Sequence, residues 1–258
     1  MINFLVARKN DEIWKTYLET SIQKCGTSRV FQIMDQPGKQ ENIFLKYRAG
    51  IEALLKSECM DNDIVIFAHE DIQILDPFFV QKLETIFNEK KDIGLLGIAG
   101  ARELNEQGGW WNNITVNLRG HLMQVKEGST AGEAYHLVKG PCGYYDDLAV
   151  VDGCILVTTV KILREGLNFD AATFPVGNDM YDLDFSLQIL EAGYKIAVAD
   201  ILILHKSQGL GALQESWKIN HDKLIEKWKN KGYKFPIVSS DFIKKDFTVT
   251  NNIIEIEI

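Results

Sequence analysis

The chain has no excess of positive charge: its 258 residues carry 28 Lys and Arg against 36 Asp and Glu, a formal net charge of −8. A nucleic-acid partner would require a basic face to neutralise phosphates, so that class is excluded. No stretch approaches the ~20 apolar residues of a membrane span. The opening MINFLVARKNDE meets charge at Arg8, too early for the apolar core of a secretion signal. The four cysteines, Cys25, Cys59, Cys142 and Cys154, are widely spaced with no CxxC pair, which argues against a zinc cluster or a redox motif. They read as reduced thiols, and with the other absences they give a cytoplasmic expectation. There is no repeat, low-complexity segment or linker. The residues after the first apolar run, Arg8 to Glu12, contain no glycine and so offer no glycine-rich phosphate loop.

What is present is an ordinary globular composition. With 46% hydrophobic and 25% charged residues, the chain can bury one sizeable α/β core or two small ones. Met1 to Ala7 reads as a strand, and Ile13, Trp14, Tyr17, Leu18 and Ile22 follow at helical spacing, closed by Gly26. Arg29 to Met34 is a second strand ending on Asp35, with Gln36-Pro37-Gly38 as a turn. Asn42 to Cys59 is a second helix, and Ile64 to Phe67 is a strand buried on both faces. Asp76-Pro77 starts a further helix, and Ile93 to Ala99 is another buried strand. Gly100 to Asp147 loses periodicity and reads as a substrate-facing excursion with short strands. Leu148 to Thr159 reads as one strand around Asp152-Gly153, Thr159 to Glu165 as a short helix, Asp179 to Ala192 as a longer helix and Tyr194 to Leu204 as a last strand ending on His205. A helix through Leu213, Trp217, Leu224, Ile225 and Trp228 precedes a tail whose IIEIEI alternates like a half-exposed strand.

The strand at Ile64 to Phe67 is the organising element, because it ends on His69-Glu70-Asp71. Functional groups of an open α/β sheet lie just past the carboxyl ends of its strands. An acidic triplet there asks for a cation or a proton-transfer role, unless Asp71 merely caps a turn.

The order of these features resembles the GT-A glycosyltransferases, in particular the family 2-like prokaryotic group. The likeness runs from about Asn3 to Gly211. It rests on the opening strand, the strand ending on Asp35, the acidic cluster at 69–71, Val151-Asp152-Gly153, and MYDLDFSLQILEAGYKIAV from Met180. The last segment is similar to the family's Glu-Asp-x-Asp-Leu motif, with Tyr181 in place of the first acid and Asp182 and Asp184 matching the aspartates. His69 stands where the family's Asp-x-Asp motif has its first Asp.

The resemblance implies a Rossmann-like, mostly parallel sheet flanked by helices, with residues 1–211 as the GT-A unit (1–99 nucleotide-binding, 100–211 acceptor-side) and 212–258 as an extension. It implies an inverting hexosyltransferase-like enzyme of polysaccharide biosynthesis, moving a sugar from a nucleotide-sugar donor to a carbohydrate or other hydroxyl acceptor. A divalent ion, Mn²⁺ or Mg²⁺, would be held by Asp71 and His205, with imidazole favouring Mn²⁺. Asp182 is the candidate base, with Asp179 as its substitute, and Asp184 holds the loop or the acceptor; acidic residues at a helix start also serve as caps. Ala7, Arg8, Asp35, Glu70 and Asp71 are the donor-side candidates; Arg8 could equally be a solvated charge. Trp110 and Trp111 offer flat faces for a sugar acceptor, or a small core anchoring the loop, and Asp152 and Gly153 complete that side. A nucleotidyltransferase and a non-catalytic carbohydrate- or nucleotide-binding module are the rival readings, with a metallohydrolase behind them. Oligomeric state is not legible.

Overall fold

Short runs dense in Val, Ile, Leu and Phe form the sheet because their branched or planar side chains fill both faces of a pleated layer. A computed structural model describes residues 1–26, 28–35, 42–112, 117–125, 134–139, 143–206 and 215–238. The first half alternates strand and helix: β1 (Ile2–Ala7), then α1 (Asp11–Trp14), a π-helical turn (Lys15–Glu19) and α2 (Thr20–Lys24) in continuous succession. β2 (Ser28–Ile33), α3 (Ile43–Lys56), β3 (Ile64–His69), β4 (Ile72–Ile74), α4 (Phe79–Glu89) and β5 (Ile93–Gly97) follow. Asn10 starts α1 by accepting from the amides of Glu12 and Ile13, and Asn42 starts α3 by accepting from Leu45. The helix expected directly after Asp76-Pro77 begins two residues later, because Asp76 first turns the chain by accepting from the Phe78 amide.

The Gly100 to Asp147 stretch contains β6 (Ala99–Ala101), β7 (Glu103–Leu104), a 3₁₀ turn at Trp110–Asn112, β8 (Leu118–Val125), β9 (Ala134–Lys139) and the start of β10 (Tyr145–Leu148). β11 (Val150–Val151), β12 (Ile155–Thr159), α5 (Val160–Arg164), α6 (Tyr181–Glu191), β13 (Lys195–Val198), β14 (Ile203–His205), α7 (Glu215–Asn230) and β15 (Ile237–Val238) complete the order. The IIEIEI tail, the Gln36-Pro37-Gly38 turn and Cys142 lie outside the described residues.

The main sheet has the order β10-β13-β5-β12-β3-β1-β2. β1 is parallel to β2 and β3, β13 is parallel to β5, and β12 runs antiparallel between β3 and β5. A second sheet, β11-β6-β8-β14-β4 with β9 beside β8, lies past its rim. Two expected strands are each divided between these sheets. Leu148 to Thr159 breaks at Asp152-Gly153, where Asp152 Oδ1 accepts from the Cys154 amide and turns the chain from β11 into β12. Tyr194 to Leu204 breaks after Val198, so only its second part, β14, reaches the second sheet. One buried cluster joins both sheets to the helices, including Leu224 and Trp228 of α7.

Candidate active site

Register brings the donor-side candidates to one rim. Ala7 lies opposite both Ile33 and His69 across the parallel ladders, so the segments after β1, β2 and β3 emerge side by side. They form a cavity lined by Ala7, Lys9, Asp35, Lys46, Glu70 and Asp71, among others. Lys46 was not singled out in the sequence because it sits within an amphipathic helix. It is nearly buried, and its ammonium lies 2.8 Å from Asp35 Oδ1 and donates to the Arg8 carbonyl at 2.9 Å. Arg8 itself turns away from this cavity: its guanidinium donates to Gln32 and Asp11 and lies over the Trp14 ring. Glu70 accepts from the amides of Lys9 and Asn10 at 2.9 and 3.0 Å, which fixes the loop after β1.

A second cavity adjoins the first, and His69 lines both. Trp110, Trp111, Asp152, Gly153, Asp179, Tyr181, Asp182, His205 and Trp217 are among its walls. Trp110 is buried, whereas Trp111 is 39% exposed and meets it edge-on at 5.9 Å. Trp217 comes from α7, where helical spacing reads as packing alone; its ring stacks on His221 at 5.0 Å with an interplanar angle of 8°. His221 Nε2 in turn donates to the Glu106 carbonyl at 2.7 Å. Gly108 has φ 70 and backs onto the His221 ring, where a Cβ would lie 2.4 Å from Cδ2, so glycine is required there.

The first turn of α6 faces this second cavity. Met180, with φ 70, is the non-glycine residue that turns the chain into the helix, a strained conformation held by the packing around it. Gly153 allows that turn to approach the β11–β12 bend: a Cβ would lie 2.1 Å from Tyr181 Oη and 2.9 Å from Asp182 Cβ. Asp182 is half-buried, and burial followed by the nearby Asp152 pushes its carboxyl up to about 7. Asp179 is also raised by burial and accepts from Ser216 Oγ at 3.2 Å. Asn220 of α7 is fully buried and donates to the carbonyls of Val176 and Asp179 at 2.6 and 3.1 Å. Asp184, expected beside Asp182, faces the opposite way. It is 1% exposed, lies 2.8 Å from Lys227 Nζ, and accepts from Trp228 Nε1 at 2.9 Å and Gln188 Nε2 at 2.8 Å. Two residues along a helix turn the side chain by ~200°, which separates the two carboxylates.

At the junction of the cavities three side chains converge. Pairing of β4 with β14 sets His205 opposite Ile72, and the Lys206 amide donates to the Asp71 carbonyl. His205 Nε2 lies 3.4 Å from Asp71 Oδ1 and 3.4 Å from His69 Nδ1, and His69 Nδ1 lies 3.8 Å from Asp71 Oδ1. None of the contacts to Asp71 Oδ1 is a well-formed hydrogen bond, and this buried oxygen has no such partner. The triangle of donor atoms has a centre about 2.1 Å from each, the distance at which first-row divalent ions bind imidazole and carboxylate. The donor set therefore fits one. Burial would raise Asp71, but His205 and His69 hold its carboxyl below the usual range. His205 is raised because Asp71 outweighs burial, and His69 is lowered by burial, with His205 adding to the effect and Asp71 opposing it. Cys154 also approaches His205 and Asp152, but burial and then Asp152 push its thiol far up, so it remains protonated.

The mixed sheet flanked by helices, with the second sheet past its rim, is the GT-A glycosyltransferase fold. The chain belongs to the glycosyltransferase-like family, whose model matches residues 48–235. Among solved structures it is similar to GalNAc-T7 in complex with UDP, GalNAc and Mn²⁺, at 10% identity and a TM-score of 0.50, covering 88% of this chain and 47% of that one. A197 from STIV is similar at 9% identity and a TM-score of 0.47, covering 80% of this chain and 86% of that one. No curated protein matches the sequence. None of the described helices is long and apolar enough to cross a membrane.

Proposed function

We propose that this chain transfers a sugar from a nucleoside-diphosphate donor to a hydroxyl of a carbohydrate or similar acceptor, with inversion and with a divalent cation. The observation that carries the reading is the meeting of two cavities at His69, with a cation-fitting donor set between them and Asp182 on one side only. The donor's base and ribose occupy the cavity of Ala7, Lys9, Asp35 and Lys46, and Glu70 keeps the loop after β1 in place. Asp71, His205 and His69 would hold the cation, Mn²⁺ more readily than Mg²⁺ given two imidazoles, and it would offset the charge of the departing diphosphate. The acceptor lies against Trp111 and Trp217, with Asp152 and Asp179 available to its hydroxyls. Asp182 takes the proton of the attacking hydroxyl; a base of pKa about 7 is matched to that task near neutral pH. Residues 1–211 are the GT-A unit, and the 212–258 extension lends Trp217 to the acceptor side.

The test is a panel of nucleotide sugars incubated with and without Mn²⁺, with donor hydrolysis measured by release of the nucleoside diphosphate. Metal-dependent release that is lost in Asp71→Asn is expected. Release that needs no metal and survives Asp71→Asn would overturn the reading.

A further inference from the structure

The two positions where the sequence departs from the GT-A pattern touch each other. His69 Nε2 and Tyr181 Oη lie 2.6 Å apart, although 112 residues separate them in the chain. We propose that Tyr181 is a positioning residue that fixes the ring and tautomer of His69, leaving Nδ1 unprotonated and aimed at the point shared with Asp71 and His205. This rests on the reading of those three residues as a cation site.

A neutral imidazole that binds a cation through one nitrogen carries its proton on the other, and the partner of that second nitrogen selects the tautomer. Here the nitrogen facing Asp71 and His205 is Nδ1, so Nε2–H must donate, and Tyr181 Oη is the oxygen it meets. The phenol is held firmly enough to act as a fixed acceptor. Its ring is 4% exposed and packs against Tyr47, Phe169 and Phe44, with centroids 5.8, 6.1 and 6.2 Å away. The space it occupies beside the β11–β12 bend exists only because residue 153 is glycine. Position 181 also precedes Asp182. A carboxylate there would set a second anion directly beside the base, whereas the phenol orients His69 without adding charge.

The experiment is calorimetric titration of Mn²⁺ into the purified full chain, unaltered and as Tyr181→Phe. Loss of the acceptor in Tyr181→Phe should weaken Mn²⁺ binding by about 10–100-fold. In the unaltered, metal-free chain, two-bond ¹H–¹⁵N correlation should find the His69 proton on Nε2. Equal Mn²⁺ affinity in the unaltered chain and Tyr181→Phe overturns this inference alone, as does a His69 proton found on Nδ1. The NMR arm decides the matter even where Tyr181→Phe fails to fold. Absence of Mn²⁺ binding by the unaltered chain overturns the cation reading and this inference together.

Discussion

Replacing Asp182 by Asn should make the protein more stable while removing most of its activity, and the gain should grow with pH. Asn keeps the shape and the acceptor oxygen that receives the Leu183 amide at 2.9 Å. What it removes is the cost of ionising a carboxyl whose folded pKa is about 7 against an ordinary value of 3.8. The folded state therefore binds more protons than the unfolded state between about pH 4 and 7, so stability falls as pH rises through that window and levels off above it. At about 1.4 kcal/mol per unit, the full cost is about 4 kcal/mol at pH 8 and about 1.7 kcal/mol at pH 5. The advantage of Asp182→Asn should thus widen by about 2–3 kcal/mol between pH 5 and pH 8, or roughly 5–10 °C in melting temperature for a chain of this size. Thermal unfolding of both proteins at the two pH values measures this, and donor turnover at pH 8 should fall by about 10²–10⁴-fold. An advantage that stays constant or shrinks toward pH 8 would refute the argument that burial and Asp152 raise this carboxyl.

Three further outcomes are expected. Lys227→Met leaves the buried Asp184 without its cation and should cost about 3 kcal/mol in urea unfolding, since the ammonium lies 2.8 Å from a carboxylate that is 1% exposed. Trp217→Ala should raise the acceptor KM at least tenfold while donor hydrolysis changes much less, which paired assays with and without acceptor would show. Mn²⁺ affinity should weaken from pH 8 to pH 6 more than an ordinary histidine would cause, because His205 keeps its proton to higher pH beside Asp71; calorimetry at the two values tests it.

Much of this was readable from local pattern. Asn42 before an amphipathic run and the Val/Ile-rich stretch at Ile64 state their elements outright, and the parallel register then places Asp35 and Asp71 on one rim without further information. The break after Val198 was hidden because apolar residues continue on both sides of it; Asp152-Gly153 is a local turn pair, but the apolar runs flanking it masked the change of sheet. Asp182 and Asp184 look alike in sequence; only the packing of α7 against one face of α6 distinguishes them. Trp217 was hidden for the same reason, since a helix of buried Leu224 and Trp228 gives no sign that another of its tryptophans faces a cavity. His69 and Tyr181 are each an anomaly in the sequence and become intelligible only as a pair.

The grip of Asn220 on the carbonyls of Val176 and Asp179 bears on how acceptor preference can diverge. It ties the helix that presents Trp217 to the segment leading directly into Asp182, so remodelling of that helix is transmitted to the proposed base. Changes of acceptor should therefore accumulate first at Trp111, which no such tether among the described residues joins to Asp182, and alterations of α7 should be tolerated only with Asn220 kept. Libraries aimed at new acceptors would do best to vary the 3₁₀ turn and hold position 220 fixed.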